Sequence, residues 1–157
     1  MNEHRCFFIG HRDTPEEIYP LLVAAVEEHI SCFGVTEFLV GCRGAFDRMA
    51  VRAVLQAKQK HPELSLIELL AYYPGEKKRN LPDGIDGSLY PTGQEFVPKR
   101  LSIIRANQYA VEHSAYLIGY AWEPGSNARK LMEYAGRLAE KGKIQVVNLA
   151  KVAYPRD

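Results

Sequence analysis

At 157 residues the chain is long enough for one domain with a buried core, and its 46% hydrophobic and 25% charged residues exclude a disordered, collagen-like or coiled-coil protein. Lys and Arg number 20 against 19 Asp and Glu, so no overall field draws the chain to nucleic acid or to an anionic membrane, and an anion must be held locally. The 3 cysteines, Cys6, Cys32 and Cys42, lack zinc or CxxC spacing, which argues against a disulfide framework or a metal site and for reduced thiols in the cytoplasm.

The N-terminus carries charge where a signal peptide needs an apolar stretch, and no segment reaches the ~20 apolar residues of a membrane span. Arg5 to Ile9 is a bulky apolar run ended by Gly10, which predicts a strand buried on both faces. Thr14, Pro15 and Glu17 form a capping-box start for a helix carrying Ile18, Leu21, Leu22, Ala25, Val26 and Ile30 inward and closed by Gly34. Phe38 to Val40 predicts a second strand. A helix follows from near Phe46, with Met49, Ala50, Ala53, Val54 and Ala57 on one face and Pro62 as its stop.

Leu64 to Tyr72 predicts a third strand ended by Pro74. Residues 74–98 are polar and rich in turn signals such as Pro82-Asp83-Gly84 and Pro91-Thr92-Gly93, and read as one long loop. A helix from about Pro98 to Glu112, a strand from Tyr116 to Tyr120, a helix from Ser126 to Lys141 and a fifth strand over Ile144 to Leu149 complete the chain, leaving a short polar tail. Strands alternating with helices imply one domain over residues 1–157: a Rossmann-like, doubly wound α/β fold with a mainly parallel five-stranded sheet and helices on both faces.

Sheets of this kind bind ligands beyond the carboxyl ends of their strands, where strand order reverses. Three loops fall at that edge. Gly10-His11-Arg12-Asp13 offers close backbone approach and donors for an oxyanion, against the plainer reading that Arg12 pairs with Asp13 or Glu16 and His11 packs in the turn. Gly41-Cys42-Arg43-Gly44-Ala45-Phe46-Asp47 sets two glycines around a basic residue before a helix, which presents amides to phosphate, with Asp47 as an acceptor for ribose or base; a tight turn is its alternative. Trp122 to Asn127 again opens a helix. There Gly125, Ser126 and Asn127 suit a ligand oxygen or a helix cap, and Trp122 suits stacking on a base or, as the plainer reading, burial over the sheet edge.

Four stretches carry a family resemblance: Cys6-Phe7-Phe8-Ile9-Gly10-His11-Arg12, Val40 to Asp47, Asn107 to Ser114, and Pro124-Gly125-Ser126. Over nearly its whole length the chain resembles the SLOG superfamily, which joins the Lonely Guy phosphoribohydrolases to the Smf/DprA DNA-processing proteins, and is similar to its YpsA-like branch in particular. The resemblance implies a nucleotide or nucleotide-derived ligand at Gly10, His11, Arg12, Gly41, Gly44, Asp47, Asn107, Gly125 and Ser126; separately, no resident cofactor or metal is expected.

The chain departs from the catalytic members, whose PGGxGT segment is followed three residues later by a glutamate. Here the segment reads Pro124-Gly125-Ser126-Asn127-Ala128-Arg129, and Glu133 falls one position late, a rotation of ~100° on a helix. N-glycosidic hydrolysis needs a carboxylate within reach of the sugar or of water, for which Glu133 and Glu123 are the candidates. The expected function is therefore binding or sensing of a nucleotide-derived small molecule, with phosphoribohydrolase activity as the alternative. Single-stranded DNA binding comes third, because the near-neutral charge disfavours nucleic acid and only Glu76-Lys77-Lys78-Arg79 supplies a basic run. A homodimer through Tyr72, Tyr73, Tyr90 and Tyr109 and an unidentified protein partner are open expectations.

Overall fold

The computed structural model describes residues 2–41, 43–75 and 81–154. The strands are β1 (Asn2–Gly10), β2 (Glu37–Val40), β3 (Ser65–Leu69), β4 (Gly87–Leu89), β5 (Ser114–Tyr120) and β6 (Gln145–Asn148); the helices are α1 (Tyr19–Phe33), α2 (Ala45–Lys58), α3 (Ser102–Glu112), α4 (Asn127–Glu140) and α5 (Leu149–Ala153). All six strands join one sheet in the order β4-β3-β2-β1-β5-β6, and every pairing is parallel. The chain winds outward from β1 to β4, then returns to the other side of β1 for β5. Strand order reverses between β1 and β5, whose carboxyl ends meet in the register Gly10↔Tyr120.

Alternation along the central strand divides the core. Cys6 and Phe8 face a cluster that includes Leu22 and Val26 of α1 and Met49 and Ala53 of α2, while Phe7 faces Ala106 and Ala110 of α3 and Leu131 and Ala135 of α4. Strand β1 is thus covered on both faces, which is why it reads as an unbroken apolar run. Gly10 lies against Phe46, where an added Cβ would stand 2.2 Å from the ring's Cγ. Helix α1 ends at Gly34, whose φ of 71° lies in the left-handed region.

Four expectations are corrected. The sheet has six strands rather than five, because residues 74–98 are not wholly loop: β4 pairs with β3 in the register Ile67↔Gly87, and a 3-10 turn follows at Gln94–Phe96. Gln94 holds that turn in place, its buried Nε2 donating to Ala71 O at 3.0 Å and Ser102 O at 2.7 Å. Thr14 does not cap a helix; its hydroxyl donates to His11 O at 2.7 Å, and the helix begins with a 3-10 turn at Glu16–Ile18. The segment after β6 is helix α5 rather than a polar tail, capped by Asn148, whose Oδ1 accepts from Ala150 N at 3.1 Å. No helix among the described residues is long and apolar enough to cross a membrane.

Candidate functional site

The loops leaving β1, β2 and β5 meet at the switch between β1 and β5, and His11 joins all three. It is only 6% exposed. Its carbonyl accepts from Thr14 N and Phe46 N, each at 3.3 Å, and the neighbouring Arg12 carbonyl accepts from Ala45 N at 2.9 Å. The first two amides of α2 therefore serve the β1 loop. On the other side, His11 Nε2 accepts two backbone N–H groups, Trp122 N at 3.1 Å and Glu123 N at 3.3 Å. A ring nitrogen accepts only through a free lone pair, so this network assigns a neutral imidazole protonated at Nδ1. Burial pushes the His11 pKa below its ordinary value, against the opposing pull of the Glu123 and Asp13 carboxylates.

Gly44 fits against the β1 loop, where a Cβ would stand 2.7 Å from Arg12 Cα, so the two basic loop residues, Arg12 and Arg43, flank one backbone crossing. Among the described residues Glu16 is taken by Arg52 at 2.7 Å, and no ion pair or hydrogen bond engages the exposed Arg12 guanidinium. Arg43 folds back over Gly41, its Nη1 3.0 Å from where a Cβ would be, while Asp47 Oδ2 accepts from Arg43 N at 2.9 Å. Burial raises the Asp47 pKa, with the Arg43 amide and guanidinium opposing. Gly41 and Arg43 line a recess of about 340 Å³ at the ends of β2 and β3, walled also by residues 68–74.

A larger groove of about 1310 Å³ opens at the ends of β5 and β6, between α4 and α5. Trp122 and Glu133 line it, as do Asp13, Arg129, Asn148 and Lys151. Trp122 is 54% exposed, so it stands at the groove rather than buried over the sheet edge. Glu133 is exposed and ion-paired with Arg129 at 3.2 Å, and Glu123 is exposed on the β5 loop. Ser126 caps α4, its Oγ accepting from Arg129 N at 3.1 Å and donating to Glu123 O at 2.8 Å, with Gly125 before it at a φ of 76° and Asn127 opening the helix. Asn107 is buried on α3, the helix leading into β5.

The predicted residues thus divide: Gly10, His11, Arg12 and Gly44 form the junction, Gly41, Arg43 and Asp47 the β2 side, and Trp122 and Glu133 the β5 side. Asn148, Arg129 and Lys151 were missed. An asparagine directly before an apolar run is a readable cap signal, but a five-residue helix is too short to show periodicity. Cys42 and the run 76–79 lie outside the described residues. Among the described residues no group of three metal-ligating side chains occurs.

No protein-family model matches the chain, and no curated protein matches it in sequence. Solved structures do match in fold. DNA processing protein A from Streptococcus pneumoniae superposes with a TM-score of 0.56 at 16% identity, over 98% of this chain and 62% of its own, so this chain spans less than two thirds of that protein. DNA processing protein A from Helicobacter pylori matches at 0.53 and 16% identity over 96% and 78% of the two chains, and the Moco carrier protein from Chlamydomonas reinhardtii at 0.53 and 15% over 97% and 94%. The chain therefore has the Rossmann-like α/β fold shared by DNA processing protein A and the Moco carrier protein.

Proposed function

We propose that this chain binds a nucleotide or nucleotide-derived small molecule at the carboxyl edge of its sheet, as a member of the SLOG superfamily similar to its YpsA-like branch. The observation that carries the reading is the Arg12 guanidinium, engaged by no ion pair or hydrogen bond among the described residues, on the loop that leaves β1 at the strand-order switch and continues through Asp13 into the lining of a groove of about 1310 Å³. A guanidinium presents a planar fork of donors suited to phosphate oxygens. The Moco carrier protein, whose fold is shared, is by its name a carrier of a small molecule, which supports a binding role. Thermal unfolding with a panel of nucleotides, ADP-ribose and ribose 5-phosphate tests the reading: a native-state ligand raises the melting temperature by mass action, and the shift disappears in Arg12→Ala. No shift from any compound removes it. Release of free base from a stabilising nucleotide would extend the function to hydrolysis, with Glu133 and Glu123 as the carboxylates to replace.

A second reading is favoured by exposed aromatic side chains, two of them at the recess lined by Gly41 and Arg43. Tyr72, Tyr73 and Phe96 are exposed, Phe96 at 85%, and Lys99, Arg100 and Arg105 nearby in sequence form no ion pair among the described residues. Aromatic faces among free cations suit single-stranded nucleic acid, and the Helicobacter pylori structure is described by its single-stranded DNA binding mode. Anisotropy of a labelled oligonucleotide decides it. Affinity that falls steeply with salt and with Phe96→Ala supports this reading, and salt-independent affinity excludes a phosphate-driven mode.

A further inference from the structure

Residues 121–123, which leave β5, are held at all six of their backbone polar groups by side chains. Ala121 N donates to Asn148 Oδ1 at 3.1 Å, and Trp122 N and Glu123 N donate to His11 Nε2 at 3.1 and 3.3 Å. In the other direction Ala121 O accepts from Asn148 Nδ2 at 2.9 Å, Trp122 O from Arg129 Nη1 at 2.9 Å, and Glu123 O from Ser126 Oγ at 2.8 Å. The braces come from the loop after β1, from β6, and from the cap and first turn of α4, so the segment is tied to three parts of the fold at once. What this backbone presents is an indole left 54% exposed at the mouth of the groove.

The groove itself is poorly suited to an anion. Arg129 is neutralised by Glu133 at 3.2 Å, the lining holds the Asp13 carboxylate as well as Lys151, and much of the wall is Tyr120, Met132, Val146 and Ala150. A flat apolar group fits such walls, and a rigid aromatic platform binds it at low entropic cost because little is left to order. Phosphate is better served across the His11 junction, at Arg12.

We propose that Trp122 is a fixed stacking platform for a planar aromatic ring of the ligand, seated in the groove at the ends of β5 and β6, with neutral His11 as the positioning residue that holds it. This rests on the reading that the sheet edge binds a nucleotide-derived anion, and adds where the ring goes and what sets its place. The brace depends on the protonation state of His11. A proton on Nε2 would face two N–H donors and release Trp122 N and Glu123 N. The groups around that ring are the Glu123 and Asp13 carboxylates, which favour the proton, and Arg12 next in the chain, which disfavours it. Tyr120 and Trp122 pack edge-on at centroid distances of 5.7 and 5.8 Å, and from α2 Phe46 N donates to the His11 carbonyl.

Trp122 is the sole tryptophan, so its fluorescence reports the platform directly. The probes are ADP-ribose, whose pyrophosphate charges do not change in mild acid, and ribose 5-phosphate, which has an anion but no base. Calorimetry and fluorescence are followed together at about pH 7.5, where free imidazole is neutral. ADP-ribose quenches Trp122 saturably, whereas ribose 5-phosphate binds without quenching. Trp122→Ala lowers the ADP-ribose affinity relative to that of ribose 5-phosphate by about tenfold, and Trp122→Phe recovers much of the ratio. On acidification the wild-type ADP-ribose affinity falls by up to about tenfold per pH unit once His11 titrates, and His11→Gln, whose amide oxygen accepts without titrating, loses that slope. Binding of both probes with unchanged fluorescence and an unchanged affinity ratio in Trp122→Ala overturns the platform while leaving the anion site standing. A wild-type pH slope retained by His11→Gln overturns the positioning role. Binding of neither probe removes both the anion site and the platform.

Discussion

Gly10 has no room for a side chain. A methyl there would lie 2.2 Å from Phe46 Cγ, and Phe46 is itself packed edge-on against Phe8 at a centroid distance of 6.4 Å, so neither ring can retreat cheaply. We expect Gly10→Ala to destabilise the protein by about 2–3 kcal/mol, read as a lower urea midpoint. A midpoint equal to that of the wild type would mean that Phe46 has somewhere else to go. His11 makes a different prediction, because its effect depends on pH. Burial holds both His11 and His29 below the ordinary histidine pKa. On acidification the unfolded chain therefore takes up protons before the native one, and the slope of stability with pH is positive across that interval. The stability contributed by the two neutral rings is complete above about pH 6.5, is lost as pH falls toward the depressed folded values, and falls no further below them. Urea unfolding from about pH 7 to pH 5 should show this loss, and His11→Gln should remove its own share. Stability that stays flat over the interval in the wild type would contradict the neutral, accepting imidazole.

Helix α4 owes its start to a cap that is plain in sequence. Gly125 and Ser126 precede Asn127, and the serine hydroxyl takes the Arg129 amide while donating to Glu123 O. Ser126→Ala should cost about 1 kcal/mol, and Ser126→Asp should recover much of it, since a carboxylate also accepts from the helix amides. Equal losses for the two would assign the serine's value to its bond with Glu123 O instead. At this scale the legible elements were the long periodic ones: α1, α2, α3 and α4 announced themselves by apolar spacing, and β1 by its unbroken run. Strand β4 did not. Its residues, Gly87, Ser88 and Leu89, have neither length nor alternation, and they are a strand because β3 offers an open edge and Gln94 anchors the chain beyond it. Helix α5 was hidden for the same reason, being shorter than two turns.

At the scale of the molecule, one sheet separates two apolar clusters, with Phe8 and Ile118 in one and Phe7 and Leu117 in the other. Since β1 and β5 contribute to both, neither cluster can be lost while the other stays intact. We expect Leu117→Ala and Ile118→Ala each to cost about 2–5 kcal/mol and to move a single transition, with circular dichroism and Trp122 fluorescence changing together. Transitions that separate by probe would show more than one cooperative unit and would contradict a single domain over residues 1–157.

Local pattern alone was enough to set the class of fold and to put three glycine-containing loops at one edge of the sheet. Apolar runs alternating with amphipathic helices require a parallel sheet covered on both sides, and glycines closing β1 and β2, with Gly125 soon after β5, mark its carboxyl edge. Strand order was beyond it, because β1 pairs with residues 114–120, over a hundred positions away, and a local pattern says nothing about which strand returns to the centre. Residue roles divided along the same line. Ser126 was readable as a cap from its neighbours alone, while for Arg12 they left an anion contact and an ion pair with Asp13 or Glu16 both open. That the His11 ring would accept two amides from the β5 loop, that carbonyls of the β1 loop would take the first amides of α2, and that Trp122 would stand at a groove rather than inside the core were decided by tertiary contact, since each depends on groups brought together only when β1, β2 and β5 pack side by side.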